Sequence, residues 1–445
     1  MTFHKKPWVA ESINDYAQDT VANISTLNES GVIAAIYALS DENRIIHERE
    51  CINLNPATNI MNPKAEALLA TGIGTRPSLG YPGDKYEMGL EAIEKIEIIT
   101  AQLACDVFDA KYAEIRVASG AMANLYAFMA TAQPGDTILV PPASIGGHVT
   151  HHHAGAAGLY GLNIVEMKAD AEHYTVDLDV LREQAHALKP KLITIGGSLN
   201  LLPHPVSDIR AVADEVGAKV LFDAAHQCGI IAGKSWPNPL NQGAHLMTMS
   251  TYKSLGGPPG GLIVSNDAEL MERIDSIAFP GLTANFDAAK SAALAVSLLD
   301  WKTFGADYSN AMIEANQALA RACQTEGLPV FQVTGPNGQT PSESHQFAIQ
   351  AVPFGGGQTM AKKLRKANIL TCGIGLPIAD MARDMNGLRF GTPEIVRAGF
   401  TVEHMPEVAK YIADSLLGRR PDEEIAKVVS ALRRQFTTMH YVHSK

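Results

Sequence analysis

The feature that most constrains the fold is a regular alternation of short apolar runs with helical segments in the middle of the chain. The apolar runs predict strands at 113–118, 136–140, 163–167, 192–195 and 220–222. Amphipathic stretches such as 178–187 and 206–216 predict helices between them. Strands that alternate with helices form a mostly parallel sheet covered on both faces. Ligands of such sheets bind at the carboxyl ends of the strands, so the sequence predicts an α/β fold with its site at that edge.

Two polar residues stand where this edge is expected. Asp223 directly follows the buried run 220–222, and Lys253 precedes a run of glycine and proline at 256–261 that allows close backbone packing. A lysine in a tight, dry site loses its proton more readily and can attack an aldehyde. An acid beside a pyridine nitrogen keeps that ring protonated. Pyridoxal phosphate (PLP) needs both groups. Either residue alone has an ordinary explanation, as a surface lysine or a strand-end cap, but together they favour a PLP site.

Two further segments suit such a cofactor. Residues 118–124, Ala-Ser-Gly-Ala-Met-Ala-Asn, join a predicted strand to an alanine-rich helix, where free N–H groups and the Ser119 hydroxyl fit a phosphate. Many α/β turns share this pattern. Four histidines then occur together, at positions 148, 151, 152 and 153. A metal would need them to converge with another ligand, so we predict no metal site. We favour one histidine lying flat on an aromatic cofactor, after the close approach that Gly146 and Gly147 permit.

Composition narrows the function classes. The net charge of −11 argues against nucleic acids and anionic membranes as main partners. Five scattered cysteines without metal-type spacing are typical of a reduced, cytoplasmic chain. The basic first residues are followed by no apolar core of the kind a secretion signal has, and no apolar run is long enough to span a bilayer.

A chain of 445 residues is long for one core, so we expect more than one domain. We assign 1–60 to an N-terminal helical arm, 61–310 to a large PLP-binding domain and 311–445 to a smaller α+β domain. The arm is predicted as helix over 11–48, with a rough apolar stripe that packs on the body or on a second subunit. A long helix at 287–326 is expected to bridge the domains.

Arg389 is the candidate substrate ligand of the smaller domain. It lies on a predicted short strand between glycines, after a predicted loop at 368–377. A guanidinium there suits two-pronged capture of a carboxylate. The alternative is an interdomain salt bridge, and only the PLP context separates the two.

Taken together, these stretches resemble serine hydroxymethyltransferase, a family of fold-type I PLP enzymes, over most of the chain from about residue 52 to 400. The segments that carry the resemblance are Gly80-Tyr-Pro-Gly-Asp-Lys-Tyr86, Ala118-Ser-Gly-Ala-Met-Ala-Asn124, Gly146-Gly-His-Val-Thr-His151, Asp223-Ala-Ala-His226, Ser250-Thr-Tyr-Lys-Ser254 and Leu388-Arg-Phe-Gly-Thr-Pro393. Several motifs in order are far more specific than any one of them.

The resemblance implies a fold-type I architecture and a role for each matched residue. Lys253 would carry the cofactor as a Schiff base, Asp223 would pair with the pyridine nitrogen, and His148 would stack on the ring. The other implied cofactor contacts are Ser119, Gly120, Ala121, Ser198, Ser250 and, on the 3-hydroxyl side, His226. The implied substrate contacts are Arg389 for the α-carboxylate, Asn59, Tyr81 and Tyr86. The family forms dimers or tetramers with shared sites, so Tyr81 or Tyr86 would serve the neighbour's site.

Departures from the family pattern bear on the reaction. Leu79 replaces the glutamate that handles protons between the serine hydroxyl and folate, and Pro77 replaces a substrate-facing tyrosine. The segment Cys372-Gly-Ile-Gly375 replaces a polar stretch that touches the pterin. A folate pocket that loses this many polar partners is hard to keep specific, which makes tetrahydrofolate a doubtful cosubstrate.

We therefore expect a folate-independent aldolase or transaldolase that makes or breaks the Cα–Cβ bond of a β-hydroxy-α-amino acid. Its products would be an aldehyde and glycine, or alanine from an α-methylated substrate. One alternative is a tetrahydrofolate-dependent hydroxymethyltransferase acting on serine or α-methylserine. Another is a racemase, transaminase or other fold-type I enzyme. A scaffold protein without PLP is disfavoured, because Lys253, Asp223, His148 and Arg389 are all present.

Overall fold

The computed structural model describes residues 2–444 and is organised around one seven-stranded sheet. In spatial order its strands are Tyr112–Val117, Gly261–Ser265, Leu246–Ser250, Lys219–Asp223, Leu192–Gly196, Thr137–Val140 and Asn163–Glu166. Only Gly261–Ser265 runs antiparallel to its neighbours, and the other six share one direction. The predicted α/β class, with a mostly parallel sheet, is confirmed.

Helices cover both faces of this sheet because successive strand residues point to opposite sides. Val220 and Phe222 belong to one apolar cluster, whereas Leu221 between them belongs to another. The helices of this domain are Pro63–Leu68, Glu91–Phe108, Gly120–Thr131, Ala156–Leu159, Leu178–Leu188, Val206–Val216, Cys228–Ala232 and Ala268–Ser276. Short 3₁₀ turns lie at Ile73–Thr75, Ala143–Ile145 and Val149–His151, and a π turn lies at Ile277–Leu282. Two small hairpins pair Gly80–Tyr81 with Asp84–Lys85 and Ala169–Asp170 with Thr175–Val176.

A helix of 38 residues, Ala288–Thr325, connects the two halves of the molecule. It packs against Glu91–Phe108 in the large domain and against Met405–Leu416 in the smaller one. Within residues 2–444, no helix combines the length and the apolar character needed to cross a membrane.

The N-terminal arm is two helices, Glu11–Ser25 and Glu29–Ile45, where one continuous helical region was predicted. The break occurs because the Asn28 side chain accepts a hydrogen bond from the Gly31 N–H at 2.9 Å and starts the second helix anew. The apolar stripe of the second helix is not packed on the body of this chain. Ile33, Ile36 and Leu39 are 56%, 59% and 55% exposed.

The smaller domain is built on an antiparallel sheet in the order Gln346–Gln350, Gly387–Gly391, Cys372–Ile374. Its helices are Gly357–Lys366, Pro393–Arg397, Met405–Leu416 and Asp422–Arg433, and a hairpin pairs Val333–Gly335 with Gly338–Thr340. The predicted loop at 368–377 is wrong, because Ile369–Leu370 and Cys372–Ile374 are strands. Glycines at 373 and 375 hid the strand period, yet they allow close packing against neighbouring backbone.

Ile369–Leu370 pairs in parallel with Ile52–Asn53, so the end of the segment 1–60, predicted as a helical arm, is a strand that joins the smaller domain. Ile52 and Ile369 are both fully buried, so the pairing carries an apolar contact as well as backbone hydrogen bonds. Ser430 adds a hydrogen bond to the Glu50 carbonyl at 2.9 Å.

Candidate active site

The sheet brings five of the predicted residues to one edge. Ser119, His148, Ser198, Asp223 and Lys253 all lie at or just beyond the carboxyl ends of parallel strands. This convergence follows from the strand order, because neighbouring parallel strands end on the same side of the sheet.

Asp223 is an ionised carboxylate held by three donors. Its Oδ2 accepts from His151 Nε2 at 2.9 Å and from Asn124 Nδ2 at 3.0 Å, and its Oδ1 accepts from the Ala225 N–H at 3.0 Å. Burial opposes its charge, but the hydrogen bond and charge of His151 outweigh burial and keep the pKa of Asp223 below its ordinary range. A carboxylate oxygen has more than one acceptor site, so Oδ1 can also receive a pyridinium N–H.

Sequence reasoning missed the two side chains that hold this carboxylate. His151 was only one member of a histidine run, and its contact with Asp223 spans 72 positions. Asn124 lies inside the motif predicted to bind the phosphate. Its side-chain oxygen, Oδ1, accepts from the Thr248 hydroxyl at 2.7 Å. Both side chains are buried. Burial marks a polar side chain that needs a partner, and a short sequence motif does not reveal which of its residues are buried.

Lys253 is buried, with 7% of its surface exposed, and its Nζ lies 3.1 Å from His226 Nε2. Burial lowers the pKa of Lys253 to about 8, against the opposing charge of Asp223. His226 is also buried, and desolvation followed by the charges of Lys253 and Arg389 lowers its pKa well below the ordinary value. Most of the amine is still charged at neutral pH, but its neutral fraction is far larger than that of an ordinary lysine, and the neutral form is the one that attacks an aldehyde.

The four clustered histidines separate into different environments. His148 Nδ1 accepts from the Thr150 N–H at 3.3 Å, and burial lowers the pKa of His148 to about 4. His152 Nδ1 lies 3.3 Å from Glu166, and His153 is exposed. Across residues 2–444 no three histidine, cysteine or acidic side chains are placed to share a metal ion.

The start of one helix provides the features of a phosphate site. Ser119 caps the twelve-residue helix that begins at Gly120, since its hydroxyl accepts the N–H three positions on at 3.2 Å. A side chain at Gly120 would overlap the hydroxyl of Ser250, so any larger residue there requires that hydroxyl to move. Ala121 is exposed in the first turn. Free N–H groups at a helix start bind anions, so this end of the cluster fits the phosphate of PLP.

Arg389 occupies the opposite side of the cluster, from the smaller domain. One guanidinium nitrogen donates to the Ser198 carbonyl, and another donates to Cys372 Sγ at 3.0 Å. Cys372 is its directly opposed partner in the antiparallel sheet. Arg389 Nε is buried without a hydrogen-bond partner in the described part of the chain. An orphaned donor of a buried guanidinium fits an incoming carboxylate.

The remaining predicted substrate contacts are not all in the cluster. Asn59 is beside it, because its Nδ2 donates to the Ser254 carbonyl at 3.2 Å and to the Tyr308 hydroxyl at 3.0 Å. Tyr81 is half exposed and its hydroxyl donates to Asp275 at 2.8 Å. Tyr86 is 82% exposed. Within one chain, both tyrosines therefore lie outside the site.

A strand-end carboxylate, a buried lysine and a helix-start phosphate site on a mostly parallel sheet define a PLP-dependent enzyme of fold type I. A family model described as serine hydroxymethyltransferase matches residues 32–412. An α-methylserine aldolase from a Ralstonia species is 59% identical over 437 residues, 98% of this chain and 99% of that protein. An α-methylserine aldolase from Variovorax paradoxus is 60% identical over 433 residues, 97% and 96% of the two chains. Serine hydroxymethyltransferase from Methanopyrus kandleri is 37% identical over 416 residues, 91% and 96%. The chain belongs to the serine hydroxymethyltransferase family.

Membership confirms the predicted family resemblance, the fold-type I architecture and PLP as the cofactor. It also confirms the broad expectation of an enzyme that acts on the Cα–Cβ bond of a β-hydroxy-α-amino acid. The roles of the individual residues remain predictions.

Proposed function

We propose that this protein is an α-methylserine aldolase, which cleaves α-methylserine into alanine and formaldehyde without tetrahydrofolate. The observation that carries the proposal is the near-complete match to two proteins of that name at 59% and 60% identity, against 37% for the hydroxymethyltransferase. The reaction balances without a co-reactant. The Cα–Cβ bond breaks, the hydroxymethyl carbon leaves as formaldehyde, and the hydroxyl proton ends on Cα.

Arg389 would bind the α-carboxylate of the substrate. Its free Nε and the adjacent amino group can reach two carboxylate oxygens, while the remaining nitrogen keeps its bond to the Ser198 carbonyl. Binding the carboxylate fixes the orientation of Cα and therefore which of its bonds is positioned for cleavage. The bond that is cleaved determines the reaction of a PLP enzyme.

Lys253 would carry PLP as a Schiff base, and Asp223 would pair with its pyridine nitrogen. When bound, PLP supplies an electron sink for the pair released at Cα. Asp223 stays ionised at all mild pH values and so keeps the nitrogen opposite it protonated. His151 and Asn124 fix the carboxylate in place, so they are positioning residues in this scheme.

A single group can move the proton from the β-hydroxyl to Cα. His148 would present Nε2–H to the site, because its Nδ1 accepts from the Thr150 N–H and burial keeps the ring neutral. That arrangement suits stacking on the cofactor better than proton removal. Lys253, with a pKa of about 8, can both take and return a proton. We assign the transfer to Lys253 and the stacking role to His148.

We also propose that two or more chains assemble with shared sites in the cytoplasm. Tyr81 and Tyr86 lie outside the site of their own chain, and the apolar stripe 33–39 of the N-terminal arm is exposed. Both features fit contact with a second copy. All five cysteines are free, as in a reducing compartment. Light scattering on the purified full chain is expected to give a dimer or tetramer, and a stable monomer would contradict shared sites.

Formaldehyde release from the PLP-loaded enzyme tests the reaction. Each enantiomer of α-methylserine and of serine is supplied with and without tetrahydrofolate, and alanine is measured alongside. We expect equal amounts of formaldehyde and alanine from one α-methylserine enantiomer, with no need for folate. The variant Lys253→Ala is expected to release none.

Two outcomes would redirect the proposal. Release that requires tetrahydrofolate would show that a folate-dependent hydroxymethyltransferase survives despite Leu79. Consumption of α-methylserine without formaldehyde would show that another bond at Cα is broken.

A further inference from the structure

Arg397 is a buried arginine for which the reaction scheme has no use. It ends the short helix Pro393–Arg397 of the smaller domain and is 1% exposed. Its Nη1 donates to the Ile60 carbonyl at 2.6 Å and to the Gly256 carbonyl at 3.2 Å. One nitrogen therefore connects the smaller domain to the segment before the large domain and to the turn that follows Lys253.

The surroundings of the Arg397 guanidinium hold it in one place. A guanidinium stays charged in proteins, and burying it without polar partners is costly. Besides the two carbonyl oxygens, the ring of Tyr308 faces it, with the guanidinium carbon 4.8 Å from the ring centre, which is cation–π range. Tyr308 is itself fixed, because its hydroxyl donates to the Pro393 carbonyl at 2.6 Å. Arg397 is therefore a rigid anchor for the two loops that it contacts.

Asn59 reaches the same turn from the segment before the large domain. Its Nδ2 donates to the Ser254 carbonyl at 3.2 Å and to the Tyr308 hydroxyl at 3.0 Å. Its Oδ1 accepts from the Ile60 N–H at 2.8 Å. Both protons of the amide are in use, so Asn59 has no free donor for the substrate contact that the family resemblance implies.

The turn that both residues hold carries the lysine. The Gly256 N–H donates to the Lys253 carbonyl at 2.9 Å and closes the turn 253–256. Gly256 has a φ of +64°, which favours glycine. A Cβ at this position would overlap Arg397 Nη1 and lie 2.9 Å from Asn59 Nδ2. The two polar groups therefore meet directly at the end of the turn.

We propose that Arg397 and Asn59 are positioning residues that hold the turn 253–256, so that the smaller domain and the segment 59–60 fix where the Lys253 amine lies. This inference rests on the proposed role of Lys253 but not on the identity of the substrate. The ordinary alternative is that Arg397 only satisfies two loop carbonyls. Both explanations predict lower stability when Arg397 is replaced, but only positioning predicts a change at the lysine amine.

The rate of PLP loading, measured over a range of pH on the full chain stripped of PLP, reports on that amine without any substrate. Burial is the main cause of the lowered pKa of Lys253. In Arg397→Met the Ile60 and Gly256 carbonyls lose their donor, the turn loosens and water reaches the amine. The pH midpoint of loading should then rise by about one pH unit. An unchanged midpoint in a folded Arg397→Met would overturn the proposal.

The groups that charge or titrate around the lysine stay the same in this variant, so the midpoint reads the position and burial of the amine. They are Asp223, Arg389, His226, Cys228 and Cys372. Arg397→Lys separates charge from hydrogen bonding, because it keeps the charge but is too short to reach both carbonyls. Its midpoint should rise as well. A rise in Arg397→Met alone would assign the effect to charge and contradict the proposal.

Arg433→Met is the matched control for a general loss of stability. Arg433 is also a buried arginine of the smaller domain, 5% exposed, and its Nη1 donates to the Phe436 carbonyl at 2.7 Å. Its replacement should lower Tm, as in Arg397→Met, and leave the loading midpoint unchanged. An equal rise in both variants would show that any loosening of the smaller domain suffices, against a specific role of Arg397.

Asn59→Ala gives an independent test that also decides the matter if Arg397→Met does not fold. It removes the donor to the Ser254 carbonyl without removing a charge. The loading midpoint should rise in this variant too. An unchanged midpoint together with a higher KM for α-methylserine would make Asn59 a substrate ligand and refute the proposal. Because loading needs no substrate, failure of the proposed reaction remains distinguishable.

Discussion

Replacing Arg389 with lysine tests how the substrate carboxylate is held. One guanidinium nitrogen already donates to the Ser198 carbonyl, and Nε is buried without a hydrogen-bond partner among the described residues. A lysine at this position keeps a positive charge but offers one compact donor group instead of a planar fork. It can satisfy the Ser198 carbonyl or a carboxylate oxygen, and the second bond to the carboxylate is lost.

The size of the effect follows from that one bond. A hydrogen bond to a charged group contributes about 1.5–3 kcal/mol, which corresponds to about 10- to 150-fold in affinity. Because the carboxylate is held in the ground state as well as during bond cleavage, the loss should appear mainly as a higher KM for α-methylserine. The affinity for PLP should change little, since Arg389 is assigned to the substrate.

The assay compares α-methylserine with its carboxamide in the wild type and in Arg389→Lys. The amide lacks the negative charge, so the variant should raise KM for the acid and leave the poorer KM for the amide nearly unchanged. An equal change for acid and amide would refute carboxylate binding by Arg389. It would favour the structural explanation, an interdomain contact that positions the Ser198 loop.

Three further predictions concern charge and packing. Because burial lowers the pKa of Lys253 to about 8, the rate of PLP loading should rise with pH and level off above about 8; a rate still rising above about pH 9 would show an ordinary lysine. Burial raises the pKa of Glu394 to about 7 from 4.5, so its contribution to stability is full below about pH 4.5 and is lost as pH rises through 7. In the wild type this loss of folding stability amounts to about 3 kcal/mol, and Glu394→Gln should remove it. Thermal unfolding should then show a smaller difference in Tm between about pH 5 and 8 in the variant than in the wild type. The same pH dependence of Tm in both proteins would exclude this role of Glu394. Gly120→Ala should displace the Ser250 hydroxyl and weaken PLP binding at least tenfold in a spectroscopic titration, and unchanged affinity would show that the helix start moves freely.

The strand ends were predictable because their evidence is local. An apolar run that ends in a polar residue defines both a buried strand and a side chain at its edge, and this reasoning is enough to place Asp223, Lys253 and Ser119 together. Arg389 was a candidate from its short strand between glycines, and the family motifs then added His226. Each of these residues lies at the same edge of the sheet or directly across from it.

The supporting side chains were not predictable, because their partners are distant in the sequence. Gln346 meets His226 across 120 positions, and Asn124 meets Asp223 across 99. No periodicity distinguishes such a residue from any other polar residue near a strand. The exposed positions of Tyr81 and Tyr86 would have a different cause in the proposed assembly, where a site shared between subunits is complete only when both chains are present.

The parallel pairing of Ile52–Asn53 with Ile369–Leu370 constrains how the chain is made. Asn55 and Cys372, which meet beside this pairing, are 317 positions apart. During synthesis, the segment around residue 52 leaves the ribosome long before its partner strand is made. Its backbone hydrogen-bonding groups stay unpaired by that strand until residues 369–370 have emerged. A fragment that begins after residue 60 would lack this strand, so the smaller domain depends on two segments that are more than 300 positions apart in the chain.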